Sequence, residues 1–331
     1  MNASGFQSLL QGFFTDRLQG EFGASPHTIA GYRDTLRLLF RFAAKRLKRA
    51  PSKLRIEDID AAFLGKFLAH LEQDRHNSIR TRNLRLSALH AFFRYVIISE
   101  PALALHCQRI LAIPAKRYER GVVEFLTEQE GTALVMSPDI KTKIGRRDRA
   151  LLLFAIQTGL RNSEITSLRR QDVDFGTGAH VRCLGKGRKA RYTPLRPDVA
   201  AVLKQWISEQ HGNPSDPVFP SSRGGHLSAD ALQRLVARHA ANASSKCPSL
   251  KKKIVPPHTL RHSAAMDLLR RGVDLSVIAL WLGHESTETT QIYIHADMEL
   301  KEKALAHATS SGIKPSRYQP TDSLLSFLEA L

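Results

Sequence analysis

The side chains that could do chemistry in this chain fall in five short stretches: Thr158-Gly159-Leu160-Arg161-Asn162-Ser163-Glu164, Gly185-Lys186-Gly187-Arg188-Lys189, His258-Thr259-Leu260-Arg261-His262, Leu282-Gly283-His284 and Thr289-Thr290-Gln291-Ile292-Tyr293. Arg161 sits at a corner between two helical runs, one ending at Gly159 and one capped by Asn162 or Ser163 with Glu164 in its first turn. A bare cation there is costly to bury, so it needs an anion: either Glu164 or an incoming anionic ligand. His258 and Arg261, three residues apart, share a helix face. His258 and His262, four apart, have zinc-ligand spacing, yet the HExxH glutamate is missing and no cysteine or acidic third ligand is near, so neither a metal nor another cofactor is assigned. The glycine-flanked Lys186 is not in a Walker loop, because the Gly-x₄-Gly-Lys-Ser/Thr pattern and the following helix are absent. At a hairpin tip it reads as a solvated charge unless a ligand arrives. Tyr293, between Ile292 and Ile294, reads either as a packing residue with a tied hydroxyl or as a phenol held out for chemistry.

Composition narrows the ligand. The 331 residues carry 49 Lys and Arg against 31 Asp and Glu, a net charge of +18. An excess of that size, if clustered, is the footprint of a polyanion binder. Residues 1–120 hold 20 basic and 10 acidic side chains and the remainder hold 29 and 21, so the charge is spread over both parts of the chain rather than confined to a tail. No apolar run approaches membrane-spanning length, and no secretory leader pattern opens the chain, which reads as cytoplasmic with no membrane partner. Cys107, Cys183 and Cys247 are odd in number and far apart, which fits reduced thiols and not a disulfide framework.

The elements that must position these residues are mostly helical. Residues 1–112 read as helices only. Ser25-Pro26 starts one that runs to Leu47; Ile56 to Asp60 sets up another with Phe63, Leu64, Phe67, Leu68 and Leu71 inward. Asn77-Ser78 opens a third, which runs to about Ser99 and buries Leu84, Leu86, Leu89, Phe92, Phe93 and Val96. Arg80, Arg82 and Arg85 crowd its first turns, where the helix dipole disfavours cations. They either meet phosphates or form a solvated face paired with Glu72 and Asp74. Residues 113–123, with Lys116 and Arg117, read as a basic linker.

From Glu124 the pattern changes. A helix starts at Leu126-Thr127, a buried one spans Arg149 to Gln157, and two strands, Ala179 to Leu184 and Ala190 to Leu195, form a hairpin around Lys186, Arg188 and Lys189. Helices follow over Pro197 to Gln210, up to about Asn242, from Pro257 to Gly272 and from Asp274 to Leu282. Gly283 supplies the left-handed stop, and Ser286 or Thr287 can cap a short helix carrying Tyr293. The basic loop Lys246 to Lys253 is either extra phosphate contact or a solvated insert. The chain is thus mainly α with a small β-sheet, an α+β fold.

Taken together, the order and spacing of the five stretches resemble the tyrosine recombinase (phage integrase) family, Xer-like and mobile-element site-specific recombinases included, and the resemblance covers nearly the whole chain. It implies a helical, SAM-like core-binding domain over residues 1–112, a catalytic domain over 124–310, and a C-shaped clamp closing on double-stranded DNA. It makes Tyr293 the nucleophile, Arg161 and Arg261 the phosphate clamp and Lys186 the general acid, with His258 and His284 binding phosphate and moving the proton and Glu164 in support. It further implies a 3′-phosphotyrosine intermediate, strand exchange through a Holliday junction in a homotetramer or a hetero-assembly with related recombinases, and a chain that is nucleoid-associated when on DNA. DNA contacts are expected from Arg80, Arg82, Arg85, Lys116, Arg117, Arg188 and Lys189. In the tail, residues 311–331, the stripe of Leu324, Leu325, Phe327, Leu328 and Leu331 is too short for a stable helix alone and docks either on a neighbouring subunit, as in similar recombinases, or on its own domain. Three further readings stay open: an accessory subunit inactive without partner recombinases, a type IB topoisomerase-like relaxer, and a DNA-binding protein with a silent site.

Overall fold

The computed structural model describes residues 6–119, 123–185 and 190–284, together with Thr290, Gln291 and Tyr293. The chain divides into two compact units, Met1–Arg120 and Gly121–Leu331. The hairpin tip with Lys186, Arg188 and Lys189, the expected cap at Ser286 or Thr287 and the tail over 311–331 lie outside the described residues. Among the described residues no helix is long and apolar enough to cross a membrane.

The first unit holds α1 (Phe6–Gly12), which continues as a wider π-helical stretch to Glu21, then α2 (Pro26–Leu47), α3 (Ala61–Gln73), α4 (Ile79–Ser99) and α5 (Ala104–Leu111). Ser25, Asp60 and Ser78 cap α2, α3 and α4 through side-chain oxygens that accept from the backbone N–H three residues on. Leu39, Leu64, Phe67, Leu71, Phe92, Phe93 and Val96 close the core, and Phe13 meets the Phe92 ring edge-on at 5.3 Å.

One expectation for α4 is corrected. Leu84 was expected inside and is 69 % exposed, whereas Arg82 is only 6 % exposed. The helical period explains the exchange, since Arg82, Leu86, Leu89 and Phe93 follow each other at three- and four-residue steps and Leu84 falls off that stripe. The Arg82 guanidinium donates to Pro114 O (3.1 Å) and Asn83 Oδ1 (3.0 Å) and lies 3.5 Å from Glu72. Asn83 in turn grips the Lys116 backbone through both its amide atoms, at 2.7 and 3.0 Å. Arg82 and Asn83 thus pin Pro114 and Lys116 respectively to α4, and Arg82 is not free to meet a phosphate. Lys116 also donates to Glu72, at 2.9 Å.

The second unit contains α6 (Glu128–Val135), α7 (Lys143–Thr158), α8 (Asn162–Ser167), β1 (Val173–Asp174), β2 (His180–Leu184), β3 (Ala190–Pro194), α9 (Pro197–Ser208), α10 (Ala229–Ala243), α11 (Pro257–Arg270) and α12 (Leu275–Leu282). The strands form an antiparallel sheet in the order β1-β2-β3, with Val181 opposite Thr193 and Cys183 opposite Arg191. α7 begins six residues before the expected Arg149, because Thr142 Oγ1 accepts from Gly145 N and starts the helix there. Its added first turns carry the fully buried Asp148, which accepts from Arg147 (2.7 and 2.9 Å), Arg238 (2.7 Å) and His239 (2.9 Å). Burial opposes the charge of Asp148, but the His239 and Arg147 donors outweigh it and hold the carboxyl below its usual range. Asp148→Ala would strand Arg147 as a buried cation, and a urea melt is expected to show a loss of about 3–5 kcal/mol; a loss under about 1 kcal/mol would contradict this.

The basic loop before α11 is partly internal. Lys253 donates to Glu130 Oε2 (2.6 Å) and Phe125 O (2.9 Å), while Lys246, Lys251 and Lys252 are exposed. A smaller apolar cluster joins α11 to α12 through Ala265, Met266, Ile278 and Leu282, and Tyr293 packs into it.

Candidate active site

Two helix ends build the site. α7 and α12 both stop at a glycine in the left-handed conformation, Gly159 (φ +62°) and Gly283 (φ +65°). The last carbonyls of any helix lack partners within it and carry the negative end of its dipole. Here guanidiniums satisfy them: Arg261 donates to Gly159 O (2.7 Å) and Leu282 O (2.8 Å), and Arg161 donates to Gly283 O (2.7 Å). A Cβ on Gly159 would come within 2.7 Å of Leu282, so the crossing of the two helix ends depends on that missing atom as well as on its φ.

Arg161 is itself the residue that precedes α8, one position earlier than the expected cap, and Glu164 reaches back to accept from its backbone N–H at 2.7 Å. The Arg161 side chain donates to the same carboxylate at 3.0 Å. Of the alternatives that the sequence left open, the structure shows the pair with Glu164, and Arg161 remains half-buried with donors to spare. Arg261 is 8 % exposed, and burial together with the neighbouring Arg161 charge pushes its pKa down to about 10, still protonated at neutral pH.

His284 follows the Gly283 turn, and its Nδ1 pairs with Thr290 Oγ1 at 2.8 Å. Tyr293 is 1 % exposed, and its hydroxyl pairs with His262 Nδ1 at 3.0 Å. The sequence reading gave the phenol's proton to His258; the ring in contact with Tyr293 is His262. His258 is exposed and meets His262 edge-on, with ring centroids 5.5 Å apart. Burial pushes the Tyr293 phenol up against the opposing pull of the Arg261 charge.

His262 and His284 are each pushed down to about 4, by burial first and then by nearby charges: His258 and Arg261 for the former, Arg261 and Arg161 for the latter. Both are therefore neutral at pH 7 and suited to accept a proton. The unfolded chain binds these protons near pH 6.5 and the folded chain only near 4, so their contribution is complete above 6.5 and is lost as the pH falls from 6.5 to 4. Urea melts across that window are expected to lose stability by a few kcal/mol in all, and His262→Gln with His284→Gln should flatten the slope; an unchanged slope would contradict the assignment.

Two residues of this arrangement escaped the sequence reading. His262 entered it only as a metal ligand. Arg191, on β3, donates to both oxygens of Glu164, at 2.8 and 2.7 Å. Strand alternation carried a signal for it, since Arg191 shares a face with the buried Thr193 and an inward arginine must find a carboxylate. Of the expected DNA contacts, Arg80 and Arg117 are exposed and Arg85 is half-buried.

Residues 124–299 match the phage integrase family, and residues 12–99 match the N-terminal SAM-like domain of phage integrases. The putative integrase/recombinase y4rC of Sinorhizobium fredii is 51 % identical over 323 residues, 98 % of this chain and 97 % of that one. Tyrosine recombinase XerC of Pelobacter propionicus is 31 % identical, covering 86 % of this chain and 90 % of its own. In fold, the XerH site-specific recombinase bound to its palindromic difH substrate superposes with a TM-score of 0.67 at 23 % identity, over 89 % of this chain and 83 % of that one. The chain belongs to the phage integrase family. It is a tyrosine site-specific DNA recombinase.

Proposed function

We infer that the chain cuts and rejoins DNA by transesterification, with Tyr293 as nucleophile. Its oxygen attacks the scissile phosphorus, the 5′ oxygen leaves, and a 3′-phosphotyrosine results; the 5′ hydroxyl of a second strand then reverses the step and releases the tyrosine. The ester keeps the energy of the broken bond, so no ATP is needed. Arg161 and Arg261 face the charge that builds on the nonbridging oxygens with fixed, paired donors, usually the largest catalytic contribution. His262 touches the phenol and is neutral at pH 7, which suits it to receive the proton, with His258 beside it. His284 lies by the clamp, and Lys186 would protonate the leaving oxygen. The observation that carries this reading is the gathering of Arg161, Arg261 and Glu164 around the crossed ends of α7 and α12, next to the turn that leads to Tyr293.

The burial of Tyr293 favours a second element of the reading, namely that cutting waits for assembly on DNA, as a homotetramer passing through a Holliday junction or with related recombinases. The integrase-like relative supports a role in moving a mobile element. The test is covalent trapping without divalent metal: incubate the chain with nicked duplexes carrying randomised half-sites, recover protein–DNA adducts from a denaturing gel, sequence the DNA and map the linkage by mass spectrometry. The expected result is a 3′ phosphate on the peptide containing Tyr293. DNA binding with no adduct, or a linkage elsewhere, would overturn the reading.

A further inference from the structure

The carboxylate of Glu164 is almost wholly withdrawn from water, and four donors surround it. Arg161 supplies its backbone N–H and one Nη; Arg191 supplies both Nη atoms in a fork. Glu164 is thus shared between two guanidiniums with different surroundings. Arg161 is the more open, its second Nη on Gly283 O. Arg191 is the more enclosed and lies under the Gly283 turn, where a Cβ on Gly283 would come within 2.7 Å of its Nη1.

We propose that Arg191 is a positioning residue of the phosphate clamp: as the counter-ion of Glu164 it stops that carboxylate from capturing Arg161, and so leaves Arg161 turned toward the scissile phosphate. The inference rests on the recombinase chemistry proposed above. Its logic is charge competition. With two guanidiniums on one carboxylate, the pair and its partner carry a surplus positive charge, which is available to an anion at the open edge of Arg161. Without Arg191, a buried carboxylate would face Arg161 alone, and a bidentate pair between those two would satisfy both at the expense of the phosphate. Arg191 also ties three elements together, since it stands on β3, holds the start of α8 and supports the turn after α12 that carries His284.

The test uses the full chain and the duplex recovered by trapping, with single-turnover adduct formation at saturating protein measured separately from DNA affinity. Arg191→Gln is expected to slow adduct formation by about 10²-fold while changing affinity less than about threefold. Glu164→Gln added to it is expected to restore at least about tenfold of that rate, because the carboxylate that recaptures Arg161 has gone. Arg191→Lys, with the charge but not the fork, should fall between Arg191→Gln and the wild type. Thermal melts set the assay temperature below every transition; if Arg191→Gln is unfolded there, the comparison of Arg191→Lys with the double variant decides in its place. A single variant that cuts at the wild-type rate, or a double variant no faster than the slower single one, overturns the role of Arg191 while leaving the chemistry intact. Absence of any adduct with the wild-type chain counts against the chemistry, and this role falls with it.

Discussion

Tyr293→Phe is expected to leave a folded, DNA-binding chain that forms no covalent product at all, a loss of at least about 10⁴-fold in adduct rate. The substitution removes one oxygen. The ring stays in its cluster with Ala265, Met266, Ile278 and Leu282, so its apolar contacts persist. What is lost is the hydrogen bond to Nδ1 of the half-buried His262, at a cost of about 1 kcal/mol. Stability and chemistry therefore separate cleanly at this position. A urea melt should move little and a gel-shift isotherm hardly at all, while the denaturing gel goes blank. Any residual adduct of wild-type mobility would mean that another side chain attacks.

Arg261→Gln should show the opposite pattern, with chemistry and stability falling together. Its guanidinium is the group that satisfies Gly159 O and Leu282 O, so its removal leaves two helix-end carbonyls facing each other without a donor. Buried acceptors left in that state cost about 1–3 kcal/mol each, and a loss of about 3 kcal/mol in a urea melt is expected. Half of the clamp goes with it, and adduct formation should drop by at least about 10³-fold at saturating DNA. Arg261→Lys separates the contributions. It keeps the charge, but an ammonium has no planar fork to span the two carbonyls and still face a phosphate, so about 10²-fold of the loss should remain. A lysine variant as fast as the wild type would show that charge alone is enough.

Much of this arrangement was legible in the residues. Ser25-Pro26, Ser78, Thr127, Gly159 and Gly283 mark helix ends by local chemistry that needs no tertiary information, and the structure uses each of them where the sequence places it. Arg161 was legible as a cation that needs an anion because it falls at a corner between two buried helices, whereas the role of Arg261 came from the family resemblance and not from its own surroundings in the sequence. The failures came where a polar side chain is buried by partners distant in sequence, or where a local signal was too slight to outweigh composition. Arg82 replaces Leu84 inside α4 because Pro114 O and Glu72 wait for it there, and hydropathy assigns the leucine inward every time. The start of α7 was missed because a stretch of charged residues, Lys143 to Arg149, reads as surface until His239 and Arg238, some ninety positions later, arrive at Asp148. β1 has two residues and no period to read. His262 was legible as a histidine, but whether it faces a metal, a phosphate or a phenol is decided by how α11 packs against the segment beyond α12.

The buried Arg82 bears on how DNA contacts in this chain would be found by mutation. Removing any arginine from α4 should weaken DNA binding, and Arg82→Ala would score as a true contact does because it frees Pro114 from the helix and leaves Glu72 without one of its partners. Counterion release tells the cases apart. An arginine that neutralises a phosphate displaces condensed ions, so Arg80→Ala, at an exposed position, should reduce the slope of log affinity against log salt by about 1. Arg82→Ala should lower affinity at every salt concentration by the same factor and leave that slope where it was. A basic helix thus carries two kinds of positive charge, one that titrates with the ionic strength of the medium and one that does not, and only the first belongs to the nucleic acid.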